Sequence, residues 1–393
     1  MATRRDVLAG GAAVLLGSGL LPRAAPVPGA EPAAPRAAFE DRRVISWKPP
    51  LYHGWPTVAR RADGELVLAF SGGREAHVCP FGRVELMRSH DDGRTWCWPQ
   101  VLYDGPIDDR DAGIVETPRG TLLVTTFTSL AYVDVLEKAR RIPPGRPGAW
   151  EEATLREWEA VHGRLTEAQR QAELGTWMLR STDGGVTWSA RYRVPANSPH
   201  GPVPLADGRM LHVGVALWEP GRRVGAWASS DDGLSWEPLG AMPVRPGDES
   251  RHYHELHAVQ TDTGRIVCHV RNHNPAHAGE TLQSESTDGG ASWSAPRPIG
   301  VWGLPSHLVK LRDGRLLMSY GHRRPPFGNE ARLSADDGAT WGPPITLSGD
   351  GADGDLGYPS TVECGDGTLV TVWYERLADS PLAQLRQVRW RLV

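Results

Sequence analysis

SHDDGRTW at residues 89–96 is the first of five copies of one motif. The others are STDGGVTW (181–188), SSDDGLSW (229–236), STDGGASW (286–293) and SADDGATW (334–341). Each octet has the pattern Ser-x-Asp-x-Gly-x-Thr/Ser-Trp, and the closing tryptophans are 92, 48, 57 and 48 residues apart. A repeat of roughly 40–50 residues is typical of a propeller blade, which is one four-stranded antiparallel sheet. The octets therefore predict an all-β propeller.

The residue types of the octet predict a tight turn between two strands. Ser and Asp side chains can accept hydrogen bonds from turn amides, Gly can adopt a positive φ, and Trp can pack against a neighbouring strand. Because the same turn recurs five times, we interpret it as structural. It does not by itself indicate an active site.

A second, looser pattern consists of an apolar strand, a turn that usually contains Asp-Gly, and another apolar strand. Its period-two alternation predicts the two inner strands of six blades. The sixth copy has no octet, so we expect residues 43–47 to pair with the last strand, 387–393, and leave no edge unpaired. The six copies are 54–70, 111–127, 200–215, 255–270, 306–321 and 358–374.

One insertion interrupts the second blade. Residues from about 130 to 176 are rich in Ala, Glu, Arg, Leu and Gln, a composition that favours helices. We expect this helical insertion to lie between the inner and outer strands and to pack through an apolar face that includes Leu155 and Trp158. Whether it also covers the opening of the propeller stays open.

The N-terminal residues predict export. Arg4-Arg5 precedes an apolar stretch from Leu8 to Leu21 and then a Pro/Ala-rich segment, as in a twin-arginine signal peptide. We therefore assign residues 1–38 to a signal peptide and linker, and 39–393 to one six-bladed propeller. The apolar stretch is too short to span a bilayer. The prediction is a periplasmic or secreted protein whose mature chain does not insert into a membrane.

The charge of the chain limits its partners. A net charge of −4 without a basic block makes nucleic acid and anionic membranes poor candidates. Sixteen tryptophans suit an all-β core, and they would also suit stacking on sugars. No cofactor is implied, and no residue spacing supports a metal site.

Charged and aromatic residues gather where the inner strands are expected to begin or end, at one end of the propeller axis. Such a distribution is hard to explain by packing, because buried charges are costly unless they are paired. The candidates before the inner strands are Asp108–Asp111 with Arg110, His200, Glu255 and Tyr358, and those after the second strands are Arg74, Glu75, His77, Arg271, Arg323 and Arg324. Six histidines are expected at this end: His53, His77, His200, His254, His257 and His307.

These features together resemble the sialidase (neuraminidase) superfamily, whose members carry such octets on six blades. The resemblance implies a Tyr nucleophile assisted by a Glu, an Asp acid/base, and three arginines around the carboxylate of the substrate. Tyr358 and Glu255 match the nucleophile pair, and Arg271 matches the second arginine. Arg323 or Arg324 matches the third arginine.

Two features depart from the family pattern. Gly54-Trp55-Pro56 stands where the family has Arg-Ile-Pro, so the first arginine is missing. Arg74 resembles an arginine that the family carries after this strand, and Arg74 or Arg110 could complete the clamp. The Asp of the first loop is also absent, which leaves Glu75, His77 or Asp111 as the proton donor.

The resemblance leads us to expect an exported glycoside hydrolase of the exo-α-sialidase type, acting on a terminal acidic sugar in a glycan or as a small molecule. Sialidases use Tyr because a carboxylate nucleophile would be repelled by the carboxylate of the sugar. Two alternatives remain. The first is a polysaccharide lyase on glycans that contain uronic acids, which would use a base and a Tyr or His acid. The second is a non-catalytic propeller that binds glycans.

Overall fold

The computed structural model describes residues 36–46 and 51–393, and these form an all-β protein with six four-stranded antiparallel sheets. The sheets are the six blades of a β-propeller, as the repeats predicted. The twin-arginine segment lies outside the described residues. The first described strand, β1 (Ala37–Val44), begins two residues before the predicted start of the propeller and belongs to the last blade.

Each blade is a meander in which the first strand is innermost. The first blade contains β2 (Tyr52–Arg60), β3 (Leu66–Arg74), β4 (Arg83–Ser89) and β5 (Gln100–Tyr103). The second contains β6 (Asp108–Glu116), β7 (Leu122–Ser129), β8 (Thr176–Ser181) and β9 (Tyr192–Arg193). The third contains β10 (Val203–Pro204), β11 (Met210–Val215), β12 (Val224–Ser229) and β13 (Glu237–Ala241).

The other half of the propeller repeats this plan. The fourth blade contains β14 (Tyr253–Gln260), β15 (Ile266–Asn272), β16 (Glu280–Ser286) and β17 (Arg297–Trp302). The fifth contains β18 (Ser306–Lys310), β19 (Leu316–His322), β20 (Gly328–Ser334) and β21 (Ile345–Ser348). The sixth contains β22 (Gly351–Glu363), β23 (Leu369–Leu377) and β24 (Ala383–Leu392), and β1 completes it. Two short 3₁₀ turns, Ser250–His252 and Pro275–His277, lie in the fourth blade.

The two ends of the chain close the propeller in one sheet. β1 runs antiparallel to β24 with Ala37 opposite Leu392 and Arg43 opposite Gln387. This pairing confirms that the N-terminal strand completes the blade that lacks an octet. It satisfies the backbone groups that an unpaired β24 would expose.

The octets lie at the end of the propeller where the third strand of a blade stops. In the fifth blade, Ser334 is the last residue of β20, and its Oγ accepts a hydrogen bond from Gly338 N at 2.8 Å. The Asp336 carboxylate accepts bonds from Thr340 N at 2.9 Å and from Thr340 Oγ1 at 2.6 Å. Gly338 has a φ of 82°, so the predicted turn chemistry is confirmed. We call this end the octet face.

The opposite end is the pocket face, where the first strands begin and the second strands lead into the third. The helical insertion joins β7 to β8, so it lies at this face. It contains α1 (Ala131–Arg140), α2 (Glu152–Gly163) and α3 (Glu167–Glu173). Thr166 caps α3 in a capping box with Gln169. The predicted helical insertion in the second blade is therefore confirmed.

The insertion packs onto the first blade through a small apolar cluster. Trp158, Tyr132 and Leu136 are buried there with Cys79, which lies in the loop between β3 and β4. Neighbouring blades share larger clusters of the same kind, such as the one that joins the first and sixth blades. Among the described residues, no helix is long and apolar enough to cross a bilayer.

Candidate active site

A pocket of about 350 Å³ opens at the centre of the pocket face. Its lining includes Trp55, Asp111, Glu255 and Tyr358 from the beginnings of inner strands. It also includes His77, Arg222, Arg271 and Arg323 from the ends of second strands or from the loops that follow them. Wider clefts exist elsewhere on the surface, but the central pocket gathers ionisable residues from all six blades.

An irregularity in the strand places each of the first four side chains in the pocket. Trp55, Asp111, Glu255 and Tyr358 have φ values of 52°, 55°, 42° and 52°. Each lies within a shift of the register between the first and second strands of its blade. Such bulges redirect side chains, and left-handed backbone at a non-glycine residue costs about 1–3 kcal/mol. Because all four strained side chains line the same pocket, the strain indicates a functional requirement.

Tyr358, Glu255 and Arg271 form a buried hydrogen-bonded group. The Tyr358 hydroxyl donates a short hydrogen bond to Glu255 Oε1, and Arg271 Nη1 forms a close ion pair with Glu255 Oε2. Arg271 Nη1 also donates to the Tyr358 oxygen at 3.1 Å. The hydroxyl therefore faces both a proton acceptor and a cation.

The surroundings set the protonation states of this group. Burial opposes ionisation of Glu255, but Arg271 and the Tyr358 hydroxyl together lower its pKa below the ordinary value. Burial and the adjacent Glu255 carboxylate raise the pKa of Tyr358 well above its ordinary value. At neutral pH the pair is therefore a neutral phenol beside an ionised carboxylate, which is the state required for Glu255 to act as a base.

Asp111 is a second acid in the same pocket. Burial, together with the nearby charge of Glu255, raises the pKa of Asp111 to about 7. Like charges in one site cannot both ionise easily. Asp111 is therefore partly protonated under neutral conditions, whereas Glu255 is ionised.

His77 contributes an imidazole that is held by an acid. Its Nδ1 lies 2.8 Å from Asp355 Oδ1 and 2.8 Å from the Tyr52 hydroxyl, and that hydroxyl donates to Asp355 at 2.9 Å. Since Tyr52 donates to the carboxylate, His77 Nδ1–H is the natural donor to the same oxygen. Although burial acts in the opposite direction, His77 and Tyr52 lower the pKa of Asp355. This arrangement orients the His77 ring.

Two further arginines surround the aromatic side chains of the pocket. The Arg110 guanidinium carbon lies 4.4 Å from the centre of the Trp55 ring, and that of Arg323 lies 5.8 Å from the Tyr358 ring. Arg110 forms an ion pair with Asp108 at 3.5 Å. Arg323 has no carboxylate partner among the described residues, so its charge is free for an anionic ligand.

Comparison with known proteins identifies the family. The profile of the BNR repeat-like domain matches residues 154–371, which is more than half of the chain. The chain belongs to this family. Its fold is that of the sialidase-like members of the superfamily.

Two solved structures share the fold of this BNR repeat-like protein. A protein of unknown function from Dyadobacter fermentans is 24% identical, with a TM-score of 0.73 over 91% of this chain and 99% of the other. A mutant NanB sialidase from Streptococcus pneumoniae is 14% identical, with a TM-score of 0.63 over 90% of this chain and 70% of the other. Both similarities establish the propeller and leave the reaction undetermined.

Two curated relatives have similar sequences. A sialidase from Micromonospora viridifaciens is 27% identical over 75% of this chain and 36% of its own length. A xyloglucanase from a Paenibacillus species is 28% identical over 46% of this chain and 19% of its own length. The BNR repeat-like chain therefore spans about a third or less of the relatives that it matches, and their names agree on glycoside hydrolysis at a coarse level.

Four predicted residues do not line the pocket. Arg74 is fully buried and forms an ion pair with Asp108 at 2.6 Å, so it supports the pocket from below its surface. Glu75 points away and accepts a hydrogen bond from Trp158 Nε1 at 3.3 Å. Arg324 lies against the Trp302 ring at 4.6 Å, in a neighbouring cleft. These positions do not support the predicted substrate contacts of Arg74 and Arg324 or the predicted role of Glu75 as proton donor. The fourth residue is His200, which is buried.

The expectation that six histidines face the opening requires correction. His200, His257 and His307 are buried next to one another, with ring centres 4.5–5.3 Å apart. His53 is also buried, and only His77 and His254 of the six line the pocket. Because successive side chains of a strand point to opposite sides, the other four histidines lie in the interior. The described residues contain no cluster of three His, Cys, Asp or Glu that could hold a metal ion.

Sequence reasoning missed two residues of the site. Asp355 lies in the long first strand of the sixth blade, β22, on the N-terminal side of Tyr358. Arg222 lies in the loop between β11 and β12, which is equivalent to the loops after the other second strands. Applying that equivalence to the third blade would have found Arg222, whereas no sequence signal pointed to the pairing of Asp355 with His77.

Proposed function

We propose that this protein is a retaining glycoside hydrolase of the sialidase type that removes a terminal acidic sugar from a glycan. The observation that carries the proposal is the buried contact of the Tyr358 hydroxyl with Glu255, beside Arg271. A purely structural tyrosine would not require a strained backbone, a base and a cation at its oxygen. Glycoside hydrolysis also agrees with the names of both curated relatives.

The charges of the pocket suit an anionic substrate. Its lining includes four arginines, Arg110, Arg222, Arg271 and Arg323, and two carboxylic acids, Asp111 and Glu255. The excess of cations contrasts with the net charge of −4 of the whole chain. Guanidinium groups remain charged at all relevant pH values and bind both oxygens of a carboxylate. Arg271 and Arg323 lie beside Tyr358, so we assign the sugar carboxylate to them.

The first step forms a bond between Tyr358 and the sugar. The Tyr358 oxygen attacks the anomeric carbon while its proton moves to Glu255, and Arg271 stabilises the developing phenolate. A neutral Tyr avoids the repulsion that an anionic nucleophile would meet from the substrate carboxylate. The bond to the leaving oxygen breaks in the same step.

His77 is the proposed acid/base. It lies in the loop between β3 and β4, where the superfamily carries its acid, and the hydrogen bond to Asp355 orients its ring. His77 gives a proton to the leaving oxygen. In the second step it takes a proton from the water that attacks the anomeric carbon, the bond to Tyr358 breaks, and Glu255 returns the proton to Tyr358.

The first experiment is hydrolysis of a fluorogenic sialoside by the mature protein and by Tyr358→Phe. We expect release of the fluorophore by the wild type and a rate lowered by about 10³-fold or more in the variant, because the nucleophile is removed. Equal rates in the two proteins would contradict the assignment of Tyr358. Absence of release by a folded wild type would reject simple sialosides as substrates.

A lyase acting on uronic acid glycans is the second candidate, and one observation favours it. Trp55 occupies the place of the first arginine, so the carboxylate clamp differs from that of the superfamily. A lyase needs a base, a proton donor and neutralisation of the carboxylate, which Tyr358, His77 and the arginines could supply. Its unsaturated product absorbs ultraviolet light, whereas a hydrolase product does not, so the two reactions are distinguished by one spectrum.

We further propose that the protein is exported by the twin-arginine route. The support is the Arg4-Arg5 motif and the apolar stretch that follows it. Replacement of both arginines by lysine is expected to retain the protein in the cytoplasm, as measured by cell fractionation. Unchanged export of that variant would contradict the proposal.

A further inference from the structure

Arg222 occupies the side of the central pocket that faces the third blade. It lies in the loop between β11 and β12, and its side chain is half-buried. Its Nη1 donates to the backbone oxygens of Ser250 and Tyr253 at 3.3 and 3.1 Å, and its Nη2 contacts His254 Nδ1 at 3.0 Å. These bonds fix the guanidinium at the wall of the pocket. The backbone of Arg222 has a φ of 47°, which is a strained conformation for a residue with a side chain.

No carboxylate in the part of the chain that the structure describes balances this cation. Every hydrogen-bond partner of Arg222 within the described part of the chain is neutral, whereas Arg271 is paired with Glu255 and Arg110 with Asp108. Burial consequently lowers the pKa of Arg222. A charge that is removed from water without a counter-ion is unfavourable. The arrangement is explained if the missing anion is part of a ligand.

His254 adds a neutral donor next to this charge. An arginine can only donate, so His254 Nδ1 accepts the bond from Arg222 and its proton lies on Nε2. Burial and the adjacent Arg222 lower the pKa of His254 to about 4, which keeps the ring neutral. Its Nε2–H has no acceptor among the described residues, and the residue lines the pocket.

We propose that Arg222 and the Nε2–H of His254 form a second anion site in the central pocket, separate from the Arg271 and Arg323 clamp. The ligand would therefore be an acidic sugar that carries a further sulfate or carboxylate group. The anion site stands on the geometry alone, whereas the identity of the ligand as a sugar rests on the proposed function.

Binding of inorganic sulfate tests the anion site without requiring turnover. Calorimetric titration at constant ionic strength, adjusted with sodium chloride, is expected to give two sulfates per wild-type protein. Arg222→Gln should bind one, and Arg323→Gln should also bind one. Arg156→Gln, which changes a 70% exposed arginine on α2, is the matched control and should bind two.

Several outcomes would overturn this site. The site is wrong if the wild type binds one sulfate or none, or if Arg222→Gln binds two. Circular dichroism shows whether each variant is folded. If Arg222→Gln does not fold, Arg222→Lys tests the site instead. Lysine retains the positive charge but lacks the two-pronged guanidinium group, so the second sulfate should bind about 10-fold more weakly. Unchanged affinity in that variant would contradict the assignment.

A second titration identifies the class of sugar. N-acetylneuraminic acid is compared with its mono-O-sulfated isomers on the wild type and on Arg222→Gln. At least one isomer should bind the wild type about 10- to 100-fold more tightly than the parent sugar, because of one added charge-assisted contact. Arg222→Gln should remove this preference, so that the sulfated isomer and the parent sugar bind that variant with similar affinity.

The two proposals fail in different ways. If two sulfates bind but no sialic acid does, the anion site stands and the proposed function is wrong. If the parent sugar binds and no sulfated isomer binds more tightly, the doubly anionic ligand is wrong, although the hydrolase remains.

Discussion

The two faces of the propeller are built in opposite ways. On the octet face, Asp336 accepts hydrogen bonds from Ser334 and Thr340, and the same arrangement recurs in the other octets. On the pocket face, Arg323 Nε is buried without a hydrogen-bond partner, and Arg222 has no carboxylate among the described residues. Satisfied turns stabilise a fold, whereas buried polar and charged groups without partners at one end are typical of a binding site.

The difference shows how a repeat protein acquires a site. The repeated turns hold the blades, and the residues that differ between blades lie where the inner strands begin. Tyr358, Glu255, Asp111 and Trp55 occupy equivalent bulges in the sixth, fourth, second and first blades. The same bulge at the start of the inner strand therefore directs four different side chains into the central pocket.

Apart from removal of the nucleophile, removal of the base should give the largest change in rate. Glu255→Gln is expected to lower kcat by about 10²–10⁴-fold, because the Tyr358 proton loses its acceptor. Arg271 loses its ionised partner at the same time, so thermal denaturation must accompany the kinetics. A variant that is folded and retains the wild-type kcat would contradict the role of Glu255.

Loss of the acid/base should depend on the leaving group. His77→Gln is expected to lower kcat/KM by about 10²-fold on a natural glycoside, but by much less on an aryl glycoside whose leaving group needs no proton. Glu75→Gln is the control in the same loop and should resemble the wild type on both. If Asp111→Asn shows the dependence instead, Asp111 is the acid.

The interior between the faces makes stability sensitive to pH. Burial lowers the pKa of His212 and of His269 to about 3, and the pKa values of His200, His257 and His307 lie well below the ordinary value of 6.5. Below pH 6.5 the unfolded chain binds protons that the folded chain excludes. Each such histidine therefore lowers the free energy of unfolding by about 1.4 kcal/mol per pH unit.

Urea denaturation at pH 7.5, 6.0 and 5.0 measures this effect. Stability should fall as the pH drops below 6.5 and be unaffected by these histidines above it. His212→Gln removes one titrating group, so it should reduce the slope by about 1.4 kcal/mol per pH unit. An identical slope in that variant would show that His212 does not titrate in this way.

A change on the octet face should give the smallest effect, and on stability alone. Ser334→Ala leaves the buried Gly338 N–H without an acceptor, so we expect a loss of about 1–3 kcal/mol in the free energy of unfolding. Urea denaturation checks the loss, and kcat should stay within about twofold because the octets lie far from the chemistry. A fall in kcat without a fall in stability would contradict the separation of the two faces.

The fold was predictable because its signal is local and repeated. Five recurring positions in each octet encode a turn that forms from contacts within about eight residues. The octets and the six copies of the inner-strand pattern together set the number and spacing of the blades. The sheet that β1 and β24 close also followed from the missing octet. These signals depend on residues that are close in sequence, so the rest of the fold does not alter them.

The site was only partly predictable because it depends on long-range contacts. Glu255, Arg271 and Tyr358 could be placed from the beginnings and ends of strands, since those positions meet at the axis. Three features depend on side-chain packing between blades. They are the ion pair of buried Arg74 with Asp108, the burial of the His200 ring and the hydrogen bond of His77 to Asp355. A sequence pattern does not specify which of two adjacent arginines, Arg323 or Arg324, enters the pocket.

The central claim is that Tyr358 becomes covalently bonded to the sugar, and trapping the intermediate tests it most directly. A sialosyl fluoride with a second fluorine at C3 slows both steps, because fluorine disfavours the positive charge that develops at the anomeric carbon, and the reactive fluoride still allows the first step. Peptide mass spectrometry of the treated protein should find the sugar on Tyr358. An active enzyme that carries the sugar on another residue, or on none, would contradict the account.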